Sequence, residues 1–234
     1  YGARGNGISD DYTALKNAIT YAIRSERPLV LTKTYYISRT LDVSNVTIQS
    51  HNATIIGSPS TLYLLQAVGN IGNYTSATVD VNSGSNEVII PNTLSYISGD
   101  LIKITSNKFF DEGEGTKQGE IQQVEKYDTN KIKTYRSFND SYKTTDGVRV
   151  TKIIPAKLSI TGKLNLIGGN TTSNIGLLLK YTKDVYLENI NISKCRYISL
   201  WLDNSYNAYI NGYFRDADRM GEGYGISLTG AMYS

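Results

Sequence analysis

A repeat of 23 residues constrains this chain more than any other feature. Ile175-Gly-Leu-Leu-Leu-Lys180 aligns position for position with Ile198-Ser-Leu-Trp-Leu-Asp203, and Asp184-Val-Tyr-Leu187 aligns with Asn207-Ala-Tyr-Ile210 at the same spacing. Two strands that keep one register from repeat to repeat describe a coil of parallel strands, each turn covering the open edge of the last. Gly225-Ile-Ser-Leu228 continues Ser199-Leu-Trp-Leu202 at a spacing of 26 residues. Three additional residues are therefore expected in Arg215-Asp-Ala-Asp-Arg-Met-Gly-Glu-Gly223, as a loop bulging from the coil. Strand alternation turns Ile175, Leu177, Leu179, Ile198, Leu200 and Leu202 inward, with Val185, Leu187, Ala208 and Ile210. Leu178, Trp201, Tyr186 and Tyr209 then face outward, and Lys180 sits beside Asp203 on the next rung.

The head of the chain has a different texture. A glycine-rich run, Tyr1-Gly-Ala-Arg-Gly-Asn-Gly7, leads into Ser9, Asp10 and Asp11, side chains suited to cap the free N–H groups of a first helical turn. Leu15, Ala18, Ile19, Ala22 and Ile23 follow at the spacing of one apolar helical stripe, and Pro28 closes the segment. An amphipathic helix at the head of a β chain needs something to cover, and the open end of a strand stack supplies it. Leu29-Val-Leu31, Tyr35-Tyr-Ile37, Val46-Thr-Ile48 and Ala53-Thr-Ile-Ile56 read as short strands separated by turn residues.

Between residues 77 and 155 the pattern becomes that of an ordinary antiparallel meander, with strand candidates Glu87–Ile90, Asp100–Ile104, Gly119–Val124, Lys131–Lys133 and Val148–Val150. Asp111-Glu-Gly-Glu114 reads as a solvated loop tip, with a cation site as the rival reading. The expected division is an N-terminal cap with the first coils over residues 1–76, an inserted β subdomain over 77–157, and further coils over 158–234. The chain begins without methionine and stops inside a patterned region, as expected of a piece of a longer protein.

Composition narrows the chemistry. The formal charge of +3 comes without any basic run of the kind that tracks phosphates, which argues against nucleic acid, and no apolar stretch approaches a membrane span of roughly 18 residues. One cysteine, Cys195, and one histidine, His51, rule out an internal disulfide and leave cysteine- and histidine-rich metal sites unsupplied. We expect neither a metal nor another cofactor.

Tyr1-Gly-Ala-Arg-Gly-Asn-Gly-Ile-Ser-Asp-Asp-Tyr-Thr-Ala-Leu-Lys-Asn-Ala-Ile19 resembles the head segment of pectate-lyase-like right-handed β-helix proteins of the phage tailspike, depolymerase and neck-appendage type. The resemblance implies an all-β, right-handed parallel β-helix with an N-terminal capping helix and an inserted antiparallel β subdomain. It also implies a homotrimer on the virion, in contact with other tail or neck proteins, that binds and degrades a host capsular polysaccharide or teichoic acid. A non-enzymatic receptor-binding spike is the alternative. A secreted pectin-type lyase or hydrolase is weaker, because Asn-Thr-Asp, Gly-His-Gly and Arg-Ile-Lys signatures are absent from the sequence.

Cleavage of a glycosidic bond needs a proton donor and a second carboxylate. A phosphodiester instead needs positive charge on the phosphate and an acid or base. The 215–223 loop offers Asp216, Asp218 and Glu222 as catalytic candidates, with Asp203 on the preceding coil, and Arg215 and Arg219 as substrate-binding cations. The same residues would also serve as a self-satisfied knot of salt bridges. Trp201, Tyr186 and Tyr209, and with them Tyr213, offer ring faces to sugars, or alternatively to a neighbouring subunit.

Overall fold

The computed structural model describes residues 1–93, 95–109, 117–169, 174–217 and 223–230. Two compact units divide the chain: Tyr1–Gly69 with Ala156–Ser234, and Asn70–Pro155.

In the first unit, strand β1 (Asn6–Asp10) and helix α1 (Tyr12–Ser25) precede β2 (Leu29–Leu31), β3 (Thr34–Ile37) and β4 (Leu41–Asp42). The next turn is β5 (Val46–Ser50), β6 (Ala53–Gly57) and β7 (Tyr63–Val68). In the second unit follow β8 (Asn70–Ser76), β9 (Glu87–Ile89), β10 (Leu101–Phe109), β11 (Lys117–Asp128), β12 (Lys131–Thr134) and β13 (Arg149–Ile154). The first unit then resumes with β14 (Leu158–Thr161), β15 (Leu164–Ile167) and β16 (Ile175–Lys180). Its last turns are β17 (Lys183–Ser193) with β18 (Ile198–Asp203), and β19 (Tyr206–Phe214) with β20 (Tyr224–Thr229).

Strands of the first unit pair in parallel on three flats. The first flat stacks β2, β5, β14 and the leading halves of β17 and β19. The second stacks β1, β3, β6, β15 and the trailing halves of β17 and β19. The third stacks β4, β7, β16, β18 and β20. Neighbouring rungs lie about 4.8 Å apart, so equivalent side chains fall into ladders. Ile48, Ile160, Leu187 and Ile210 make one inward ladder. Ile55, Leu166, Ile192 and Phe214 make another, and Leu65, Leu177 and Leu200 a third. Most of these residues are fully buried in one apolar core, and each buried Leu or Ile contributes roughly 1.5–3 kcal/mol.

From β5 onward, the turn from first to second flat shortens along the chain. Four residues (49–52) separate the aligned Ile48 and Ala53, three (161–163) separate Ile160 and Leu164, two (188–189) separate Leu187 and Ile190, and Asn211 alone separates Ile210 and Gly212. At this tightest corner only glycine fits, because a Cβ on Gly212 would stand 1.9 Å from the Ile190 carbonyl oxygen. The shortening also alters the expected loop length. Ile192 pairs with Phe214, 22 residues on, whereas Ile198 pairs with Tyr224, 26 on, so the 215–223 loop carries four additional residues rather than three.

Helix α1 buries Leu15, Ile19 and Ala22 in the same core as Leu29, Leu31, Leu41 and Val46. Ile23, expected on the buried stripe, is exposed, and Leu178, expected outside, is buried. The acidic pair before the helix does more fastening than capping. Asp11 accepts the backbone N–H groups of Arg4 and Gly5 at 2.7 and 3.0 Å, and Asp10 accepts those of Tyr12 and Ser38 together with the Ser38 hydroxyl. No helix among the described residues is long and apolar enough to cross a membrane.

The second unit is one antiparallel sheet in the order β8-β13-β10-β11-β12-β9. Against its core of Val88, Ile102, Ile104, Val124, Ile132, Phe138, Tyr142 and Val150 lies a buried carboxylate, Glu120. Glu120 accepts hydrogen bonds from the Asn139 and Asp140 backbone N–H groups, the Tyr142 hydroxyl at 3.1 Å and the Gln122 side-chain amide at 3.0 Å. Burial, and the negative charge of Glu120 next to it, raise the Tyr142 hydroxyl far above the usual phenol range, so it remains a donor.

Two outcomes follow. Glu120→Ala strands these donors in the core and lowers the stability of the second unit by about 3 kcal/mol or more, measured as a lower urea midpoint than that of Glu120→Gln. Cys195 is fully buried, and burial pushes its thiol up to about 12. Iodoacetamide at pH 8 is therefore expected to leave the native chain unmodified and to alkylate it in urea, as read by intact mass.

Candidate functional site

The outer surface of the second flat carries two side-by-side ladders. Thr34, Thr54, Asn165, Asn191 and Tyr213 form the first, and Tyr36, Ile56, Ile167 and Ser193 the second. Asn191 donates its side-chain N–H to Asn165 Oδ1 at 3.0 Å, and Asn165 donates to the Ala53 carbonyl at 3.2 Å. Asn191 Oδ1 is buried and accepts no hydrogen bond among the described residues. Asparagine amides stacked on successive rungs thus end in an unused acceptor, directly beside Tyr213, which is 74% exposed.

Two adjoining depressions run over these ladders. The smaller, about 370 Å³, is lined by Lys163, Asn165, Asn191, Tyr213 and Arg215. The larger, about 660 Å³, is lined by Tyr36, Pro59, Gly169, Lys194 and Asp216, and the two share Ile167. A glycine pair makes the floor of the larger one possible. A Cβ on Gly168 would lie 2.3 Å from the Lys194 carbonyl oxygen, and one on Gly169 would lie 2.5 Å from the Pro59 Cα. Asp216 has a left-handed backbone with φ of 59°, and the consecutive residues Arg215 and Asp216 line different depressions.

Of the residues singled out from the sequence, Arg215 and Asp216 therefore reach this groove. Asp218, Arg219 and Glu222 lie outside the described residues, as does Asp111–Glu114. Asp203 is elsewhere. It ends β18, where it is buried and pairs with Lys180 at 2.8 Å, and the 215–223 loop joins β20 opposite Ile198, at the other end of that strand. Five strand steps from Ile198 to Asp203 amount to roughly 17 Å. The hydrogen bond to Asp203, with the carboxylate charge, raises the Lys180 ammonium above the usual lysine range.

Trp201 is on the outer surface of the third flat, half-buried, with its indole N–H donating to the Thr229 hydroxyl at 3.2 Å. Tyr186 and Tyr209 are on the first flat, with ring centroids 5.0 Å apart and planes 12° from parallel. Their facing surfaces cover one another, which leaves only their edges and outer faces open. Tyr213 has no such neighbour among the described residues and lines the groove.

Sequence reading alone passes over Lys163, Asn165, Asn191 and Lys194. Asn165 and Asn191 stand 26 residues apart, and Asn191 and Tyr213 stand 22 apart. The dominant spacing of 23 therefore lines up none of them. Among the described residues, no group of three or more His, Cys, Asp or Glu side chains is placed to hold a metal ion.

No family model and no curated protein matches the sequence. Solved structures do match in fold. The tailspike protein gp49 from Pseudomonas phage LKA1 superposes with a TM-score of 0.84 at 18% identity, over 99% of this chain and 45% of its own. The tailspike gp61 of Pseudomonas phage phi297 gives 0.78 at 14% identity, over 99% and 44%. The Gp54 tailspike of Acinetobacter baumannii bacteriophage AP22, solved in complex with A. baumannii capsular saccharide, gives 0.63 at 15% identity, over 94% and 37%. The chain spans less than half the length of each of these proteins. Its stacked parallel flats, with an antiparallel sheet unit between the second and third turns, have the fold of phage tailspike proteins.

Proposed function

We propose that this chain is part of a bacteriophage tailspike or tail appendage that binds a polysaccharide of the host cell surface along the groove of the second flat. The observation that carries the reading is the Asn165–Asn191 amide ladder beside the exposed ring of Tyr213. Sugars present hydroxyls and a C–H face. The Asn165 and Asn191 side chains line the depression as polar groups for the hydroxyls, and Tyr213 supplies a flat apolar surface for the C–H face. A tailspike of the same fold solved with a capsular saccharide supports the same ligand class.

The fuller form of this reading has a right-handed coil with α1 closing its first turn, a homotrimer on the virion, and cleavage of the bound polymer. Asp216 supplies one carboxylate at the groove, and the adjoining 218–222 stretch holds Asp218 and Glu222, from which a second would come. Teichoic acid is the alternative polymer, with Arg215 against the phosphate. A spike that binds without cleaving shares the groove and differs only in releasing nothing.

The test presents the purified chain with a panel of bacterial capsular polysaccharides and teichoic acids, reading binding by calorimetry and cleavage by released reducing ends or phosphomonoesters. Tyr213→Ala is expected to weaken binding at least tenfold, about 1.4 kcal/mol, without changing the unfolding midpoint. Unchanged binding in that variant overturns the groove assignment. Asp203→Asn is the contrasting case: it loses the ion pair with Lys180, lowers stability by about 1 kcal/mol, and leaves binding as it was. Loss of binding with intact stability would instead place Asp203 in the site.

A further inference from the structure

We infer that the groove selects a polyanionic saccharide, one whose acidic groups recur along the chain. The inference rests on the groove being the binding site. It concerns what kind of polymer lies there.

The charged side chains on the two depressions are Lys163, Lys194 and Arg215, against one carboxylate, Asp216. All four are exposed, and among the described residues none of the three cations makes an ion pair. Between them the floor is neutral: Thr54, Asn165, Asn191 and Ser193. Among the described residues the groove therefore offers three cations against one carboxylate, over a surface that otherwise only donates and accepts hydrogen bonds.

The cations are also spread apart. Lys163 stands before β15 begins, whereas Lys194 and Arg215 stand just past the ends of the β17 and β19 segments on the same flat. The four strand steps from Lys163 to Ile167 cover roughly 13 Å. Cations rooted at opposite ends of the floor suit a ligand that carries at least two anionic groups along its length. Arg215 supplies a planar fork suited to a carboxylate or a phosphate, and the two lysines act as point charges. Carboxylate-bearing glycans and phosphodiester-linked glycan polymers share this chemistry, and the experiment separates them.

The probes are polygalacturonate oligomers, the same oligomers after carboxyl reduction, and a glycerol-phosphate teichoic acid, each titrated into the full chain at 50 and 300 mM NaCl. Either acidic probe is expected to bind, with affinity falling several-fold at the higher salt, and the carboxyl-reduced oligomer to bind at least tenfold more weakly than its parent. Lys163→Gln and Arg215→Gln, both at exposed positions, should each weaken the acidic probe about fivefold or more, and weaken the reduced one far less. Tighter binding by the teichoic acid than by polygalacturonate assigns phosphate as the source of charge; the reverse assigns carboxylate. Three results overturn the inference: equal affinity for the acidic and reduced oligomers, acidic binding indifferent to Lys163→Gln and Arg215→Gln, or no binding by either acidic probe. If binding responds to Tyr213→Ala but not to the charge variants, the groove stands and its acidic preference falls. If it responds to neither, the groove itself is misplaced.

Discussion

Register between neighbouring parallel strands is the constraint from which the rest follows. A strand presents alternate residues to opposite faces, so one residue of slip would carry Leu166, Ile192 and Phe214 out of the core and Asn165, Asn191 and Tyr213 into it. The apolar ladders inside hold the polar ladders outside in line. Asn165 and Asn191 are within hydrogen-bond reach because Leu166 and Ile192 are stacked beneath the same two rungs. The groove is in that sense the outer face of the core.

The fold was legible where this periodicity is strict. Residues 175–180 and 198–203 contain no irregularity, and their pairing on the third flat is the one read from their spacing. The first turns were legible as short strands because Leu29–Leu31, Val46–Ile48 and Ala53–Ile56 alternate cleanly between buried and partly open positions. β8 was not, since Asn70-Ile-Gly-Asn-Tyr-Thr-Ser76 has no apolar alternation and is almost wholly exposed, its place set by hydrogen bonding to β13. The candidate site was legible only in part. Arg215 and Asp216 stood out as charges in an irregular loop, whereas Asn165 and Asn191 look like any asparagine in an asparagine-rich chain until the ladder brings them together. The distance of Asp203 from that loop was not legible for a related reason: adjacency of coils says which rungs touch, not which end of a rung a residue occupies.

The two units solve the burial of polar groups differently. The coil stacks apolar ladders inside and keeps its buried carboxylates at its edges, Asp11 before the helix and Asp203 with Lys180 at a strand end. The inserted sheet buries a carboxylate among donors from one loop, Asn139, Asp140 and Tyr142, and from Gln122 on its own strand. A network of that kind ties loop conformation to sheet formation, because half of it is worse than none.

The corner between the first and second flats, with four, three, two and then one intervening residues from β5 onward, acts as a buffer of chain length. The turn lengthens or shortens while the strands on either side stay in register. Insertions and deletions there are thereby uncoupled from the core, and they act instead on the edge where two flats meet. A lineage of such chains can re-contour the rim of its groove by changing the number of residues in a corner, without altering a single side chain of the groove floor.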